Sequence, residues 1–82
     1  MTDFTVRTEY DGKDLIKVLE LYYYDADGEE VVDSRATDAC LGCNTCSDMG
    51  AEQYDALREQ IARQLRRAGI DFGRIEFEDQ DD

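Results

Sequence analysis

Hydrophobic and polar residues alternate along the first part of the chain. In "FTVRTEY" one side carries Phe4, Val6, Thr8 and Tyr10, and the other carries Thr5, Arg7 and Glu9. A period of two is typical of a half-buried strand. The polar stretch "DGKD" follows, and Gly12 can take the positive φ that a tight turn needs. The pattern therefore predicts a strand over residues 4–10 that ends in a turn.

Two further strands are predicted before the cysteines. The segment "LIKVLELYYYD" is rich in Leu, Ile, Val and Tyr, and "DADGEE" after it contains a glycine. Aromatic and branched residues next to a glycine-containing turn indicate a hairpin. We therefore interpret "VVDSRAT" as a shorter returning strand.

The period changes to that of a helix in "SDMGAEQYDALREQIARQLRRAG". One apolar stripe runs along it at helical spacing: Tyr54, Leu57, Ile61, Leu65 and Ala68. Ser47 or Asp48 can cap its first turn, and Gly69 occupies the usual position after the last turn. The arginines near the end complement the helix dipole, so they need no ligand to explain them.

A last strand is expected where Ile75 and Phe77 alternate with Glu76 and Glu78. The predicted order is β-β-β-α-β, in one domain over residues 1–82 with a cysteine loop at 38–48 and a frayed acidic tail at 79–82. One amphipathic helix must cover one face of the sheet. The sequence thus predicts a small two-layer α+β domain, with an antiparallel sheet of three to four strands.

Charge is the strongest feature of the composition. Twenty-one acidic residues oppose nine basic ones for a net charge of −12, and only Lys13 and Lys17 are lysines. Self-repulsion at this density destabilises a compact chain in dilute buffer, and molar salt screens it. Dispersed acidity with few lysines is typical of proteins from extreme halophiles, or from viruses that infect them. The alternatives are an acidic protein from a mesophile or a mimic of nucleic acid. No basic stripe is present for a nucleic-acid backbone, so direct phosphate binding is not expected.

Neither a membrane span nor a signal peptide is apparent. No stretch approaches the roughly 18 apolar residues of a spanning helix, and "MTDFTVRTEY" lacks a basic and an apolar region. We therefore expect a cytoplasmic protein, or one inside a virion. Thiols in that compartment are mostly reduced, which favours metal binding or thiol chemistry over a structural disulfide.

Three cysteines occur in the chain, and all fall in "DACLGCNTCSD". Cys40, Cys43 and Cys46 form a C-x2-C-x2-C run, and the chain contains no histidine. Structural zinc takes four ligands, commonly thiolates. The run predicts zinc bound by the three cysteines. The fourth ligand is Asp38, Asp48, a water or a group donated by another chain, and Asp38 is the best internal candidate.

Other chemistry fits the same run. It resembles the first part of the bacterial ferredoxin pattern C-x2-C-x2-C-x3-C-P, although Gly50 and Ala51 occupy the last two positions. That resemblance implies an iron–sulfur cluster completed by a partner. Cys40 and Cys43 alone also match a C-x-x-C redox motif. The cysteines can equally be small buried residues or a disulfide with one spare thiol.

These observations favour a non-enzymatic module with a structural metal site. Such a module would contact a protein partner or a second copy of itself, as an adaptor, assembly component or virion component. The alternative from another class is a thiol-redox or metal-carrier protein. No membrane association is expected.

Overall fold

The computed structural model describes residues 1–10, 12, 15–46 and 52–78, with Cys46 described by its backbone alone. Its elements are β1 (Phe4–Tyr10), β2 (Leu15–Tyr24), β3 (Glu30–Val32), α1 (Ser34–Cys40), β4 (Asn44–Cys46), α2 (Glu52–Arg67) and β5 (Ile75–Phe77). The expected acidic tail at 79–82 and the expected helix caps, Ser47 and Asp48, lie outside the described residues.

The predicted two-layer α+β fold is confirmed. Helix α2 buries Leu57, Ile61 and Leu65 completely, as the helical spacing predicts. They share one core with Phe4 and Val6 of β1. One face of the sheet is thereby covered by helix.

The end of α2 also agrees with the sequence. Gly69 has φ +73°, the left-handed conformation that glycine adopts without a steric penalty. Its N–H donates to the Arg66 carbonyl at 3.1 Å, and the Ile70 N–H donates to the Leu65 carbonyl at 2.9 Å. This pair of bonds defines a Schellman motif, which satisfies carbonyls that the helix end would leave without partners.

The sheet is mixed rather than antiparallel, so that part of the prediction is wrong. The strand order is β3-β2-β1-β5, with β4 also paired to β2, and β5 runs parallel to β1. The chain leaving α2 docks beside the start of β1, where the Gly73 N–H donates to the Thr2 carbonyl at 2.7 Å and the Phe4 N–H donates to the Arg74 carbonyl at 2.9 Å. From that entry point β5 can only run in the same direction as β1. Alternation specifies a face but not a direction.

A second helix replaces most of the predicted third strand. Strand β3 ends at Val32, and α1 begins at Ser34. The Asp33 carboxylate caps α1 by accepting a hydrogen bond from the Ala36 N–H at 3.0 Å. Ala36 and Cys40 lie four residues apart and are both fully buried, so α1 has its own short apolar face.

Strand β4, helix α1 and strand β3 lie one after another along the edge of β2 that faces away from β1. Strand β4 pairs with residues 15–17 and β3 with residues 22–24. Between them the Val18 N–H donates to the Cys43 carbonyl at 3.1 Å, and the Leu21 N–H donates to Thr37 Oγ1 at 3.0 Å. Residues 38–46, the described part of the expected cysteine loop, are therefore the end of α1, a turn and β4, and both the turn and β4 bind β2.

The other face of the sheet carries an ion cluster. Arg7 pairs with Glu20, with Glu30 at 3.0 Å and with Glu78 at 3.1 Å. Its guanidinium lies 4.8 Å from the centre of the Tyr22 ring, and the Tyr22 hydroxyl donates to Glu78 at 2.6 Å. The hydrogen bond from Tyr22 and the charge of Arg7 lower the pKa of Glu78. One arginine thus pairs with three carboxylates on this face.

Candidate metal site

The first two cysteines lie at the ends of one tight turn. Leu41 has φ −62° and ψ 130°, and Gly42 has φ +95°. The Cys43 N–H donates to the Cys40 carbonyl at 3.1 Å. These features define a type II turn, which requires positive φ at its third residue and therefore favours glycine there. Such a turn brings its end residues to within about 7 Å between their Cα atoms.

Both thiols of this turn are buried and free. Cys40 is 0% exposed and Cys43 is 6% exposed, and neither forms a disulfide. Each thiol affects the pKa of the other, so the two side chains lie near each other. Cys40 Sγ also lies 3.9 Å from the Ile61 carbonyl oxygen of α2. The turn therefore directs two sulfur atoms to one place in the core.

Burial keeps these thiols protonated at neutral pH. It raises the pKa of Cys40 to about 12, with a further contribution from the neighbouring Cys43. It raises the pKa of Cys43 as well, against the opposing effect of the hydrogen bond to Cys40. The thiolate is the nucleophile in thiol–disulfide chemistry. A protonated, inaccessible pair is therefore poorly suited to redox catalysis, whereas a bound metal ion would displace the protons.

A side chain of helix α2, Gln60, binds the backbone of Asn44, the residue that follows the turn. The Asn44 N–H donates to Gln60 Oε1 at 3.3 Å, and Gln60 Nε2 donates to the Asn44 carbonyl at 2.8 Å. The Asn44 side chain donates to the Gly42 carbonyl at 2.9 Å. Gln60 thus pairs with Asn44 as a neighbouring strand residue would. The sequence does not single out Gln60, because its role depends on how α2 packs.

Cys46 lies three residues further on, in β4. Its backbone pairs with Leu15 of β2 in antiparallel register, and Thr45 beside it is buried. The position of the Cys46 side chain is outside the described atoms. The structure therefore fixes the backbone of the third predicted ligand and leaves its sulfur unassigned.

Asp38 is not brought to the cysteine pair. It lies on α1 two residues before Cys40, and its side chain is exposed while that of Cys40 is buried. Two residues correspond to about 200° around a helix, so the two side chains leave opposite sides. Among the described residues, no three or more Cys, Asp or Glu side chains gather where a metal ion could sit. The described geometry offers one pair of thiols.

Comparison of the chain with protein-family models, with curated proteins and with solved structures found no match. No helix among the described residues combines the length and apolar character that crossing a bilayer requires.

Proposed function

We propose that this protein is a non-enzymatic, halophile-type interaction module whose C-x2-C-x2-C segment holds a structural zinc ion. The observation that supports it is the type II turn, which brings the free thiols of Cys40 and Cys43 together. Cys46 is the proposed third ligand. The module works inside a cell or a virion, where thiols stay reduced.

Zinc suits this pair for two reasons. Thiolates are among its commonest ligands, and cysteines two residues apart are a usual pair in structural sites. The turn is also held by contacts within the chain, since Gly42 adopts its positive φ and Gln60 binds the backbone of Asn44. Pre-organisation lowers the entropy that binding must overcome.

The fourth ligand connects the metal to assembly. Asp38 lies on the exposed side of α1, away from Cys40. A group from a protein partner or a second copy of the chain is therefore the better source. Metal binding and association then become one event, and zinc affinity rises with protein concentration or with added partner.

Zinc content of purified variants tests this proposal. We expect about one zinc ion per chain in the wild type, and loss of tight binding in Cys40→Ser and Cys43→Ser, because each removes half of the preformed pair. Asp38→Ala should keep the wild-type affinity. Metal analysis and zinc titration with a competing chelator, at several protein concentrations, would measure these quantities.

The control and the contrary outcomes are distinct. Ser34→Ala alters an exposed residue at the other end of α1 and should leave zinc content unchanged. Cys46→Ser shows whether the third cysteine is a ligand. If Cys43→Ser retains full zinc content, the metal site is refuted. If the protein contains iron instead of zinc and absorbs visible light, the group bound by these thiols is an iron–sulfur cluster.

Salt dependence tests the halophile character separately. With a net charge of −12, we expect the thermal midpoint to fall as potassium chloride is lowered from molar to millimolar concentrations. Thermal melts followed by circular dichroism would measure the midpoint. A series with sucrose in place of salt is the control, because sucrose stabilises proteins by its exclusion from their surface and does not screen charge. An unchanged midpoint across the salt series would contradict the halophile interpretation.

A further inference from the structure

A surface cavity of about 250 Å³ lies beside the cysteine turn, and Cys43 lines it. Cys40, which is 0% exposed, does not line it. The exposed Leu41 and the half-buried Ala39 form part of the wall. A cavity of this volume holds several small molecules, since one water occupies about 30 Å³ in the liquid. A small polar molecule therefore has a route to Cys43 in the folded domain, and Cys40 lies behind it.

The turn also places its two cysteines within the span of a disulfide. The closing hydrogen bond from the Cys43 N–H to the Cys40 carbonyl, at 3.1 Å, is that of a β-turn, whose end Cα atoms lie within about 7 Å. A disulfide joins residues whose Cα atoms are about 4.4–6.8 Å apart. A bond between these two sulfur atoms therefore fits the span of the turn.

The third cysteine lies too far from Cys43 to take the place of Cys40. Residues Asn44–Cys46 form strand β4, and an extended chain advances about 3.3 Å per residue. The Cα atoms of Cys43 and Cys46 are therefore roughly 10 Å apart, which is beyond the reach of a disulfide. Cys46 stays a thiol when the other two cysteines are joined.

We propose that the cysteine turn is a redox-sensitive switch, in which a hydroperoxide oxidises Cys43 first, Cys40 closes the disulfide, and the pair releases its zinc ion. The cavity sets this order, because it leads to Cys43 and not to Cys40. A disulfide has no thiolate and no longer binds zinc. The switch rests on the proposed function for its metal alone, since the two thiols are present with or without zinc.

The oxidation takes place in two steps. The Cys43 thiolate attacks one oxygen of hydrogen peroxide, the O–O bond breaks, and the other oxygen leaves as hydroxide, which becomes water with the proton that the thiol gave up. Cys43 is then a sulfenic acid. The Cys40 sulfur attacks the Cys43 sulfur, the S–O bond breaks, and the hydroxyl group leaves as a second water with the Cys40 proton. Two electrons pass from the sulfurs to one peroxide, and the zinc ion keeps its oxidation state.

Burial makes this reaction slow. The thiolate is the reacting form, and burial raises the pKa of both thiols, so little thiolate is present in the metal-free pair at neutral pH. The pair therefore responds to sustained oxidant and does not turn over as a catalyst. A dithiol reductant reverses the change by thiol–disulfide exchange.

Peroxide treatment of the zinc-loaded protein tests the proposal. The tryptic peptide of residues 36–58 carries all three cysteines, so alkylation and tandem mass spectrometry locate the thiols that remain at each time. We expect Cys40 and Cys43 to be lost together into one disulfide while Cys46 is still alkylated. A zinc-sensitive dye should report release of the metal with the same time course, and dithiothreitol followed by zinc should restore the starting state.

Variants establish the order of the two steps. Cys40→Ala should leave a sulfenic acid at Cys43, which dimedone traps, and Cys43→Ala should slow the oxidation of Cys40 by about tenfold. Ala39→Leu narrows the cavity and should slow disulfide formation by about threefold. Ala26→Leu makes the same change at an exposed position after β2 and should leave the rate unchanged. The two leucine variants keep both cysteines, so they test the route even if an alanine variant does not fold.

The contrary outcomes are separate for the switch and for the metal. Zinc-loaded protein that keeps both thiols under peroxide refutes the switch alone. A disulfide between Cys40 and Cys43 in protein that never held zinc refutes the metal alone. Sulfenic acid trapped first at Cys40, a disulfide that includes Cys46, or equal slowing by the two leucine variants would each overturn the proposed order and route.

Discussion

Replacing Ile61 by alanine is expected to lower the free energy of unfolding by about 2–5 kcal/mol. Ile61 is 0% exposed at the centre of the α2 stripe, between Leu57 and Leu65. Its removal leaves a cavity that the surrounding side chains fill only partly. Denaturant unfolding of the wild type and the variant in molar salt would measure the difference.

A substitution on the outer side of the same helix is the control. Arg67→Ala, at an exposed position in the last turn of α2, should change stability by less than about 0.5 kcal/mol. If Ile61→Ala costs only a few tenths of a kcal/mol, the stripe does not form the intramolecular core that the structure shows.

Removal of the proposed zinc ion is expected to have an effect of similar size. At free zinc about 1,000-fold above the dissociation constant, binding to the folded state alone contributes about 4 kcal/mol. A chelator should therefore lower the thermal midpoint markedly, and added zinc should restore it. The measurement is a set of melts with chelator, with zinc, and with magnesium as the control for ionic strength.

The Cys40→Ser, Cys43→Ser double variant completes this comparison. It lacks the thiol pair, so its midpoint should be the same with chelator as with zinc. A wild-type midpoint that does not respond to the chelator, in protein shown to be metal-free afterwards, would mean that the pair is only a part of the core.

Much of the fold follows from periodicity. Strands β1 and β2 and helix α2 are long enough for several repeats of their period, and the sequence pattern predicts each of them. Helix α1 has only seven residues, too few for a clear helical stripe, and it follows directly on β3. The signal that identifies it is Asp33 as a cap, followed by Ala36 and Cys40 at helical spacing.

The sequence likewise predicts some features of the candidate site and not others. The pairing of Cys40 with Cys43 follows from their spacing and from Gly42, because both are local properties of one turn. The depth of the two thiols is set by α2, a distant part of the chain. Asp38 is exposed because it lies on the outer side of α1. The sequence predicts a loop at this position and therefore does not predict the direction of its side chain.

The hydrogen bond from the Val18 amide to the Cys43 carbonyl links the motion of the turn to the centre of the sheet. An amide proton exchanges with solvent only when its hydrogen bond opens, so the protection of Val18 in deuterium oxide reports how often the cysteine turn detaches. Leu21, three residues along β2, donates instead to Thr37 of α1 and reports on that helix. Two amides of one strand thus record the local opening of two neighbouring elements, without any chemical label on a cysteine.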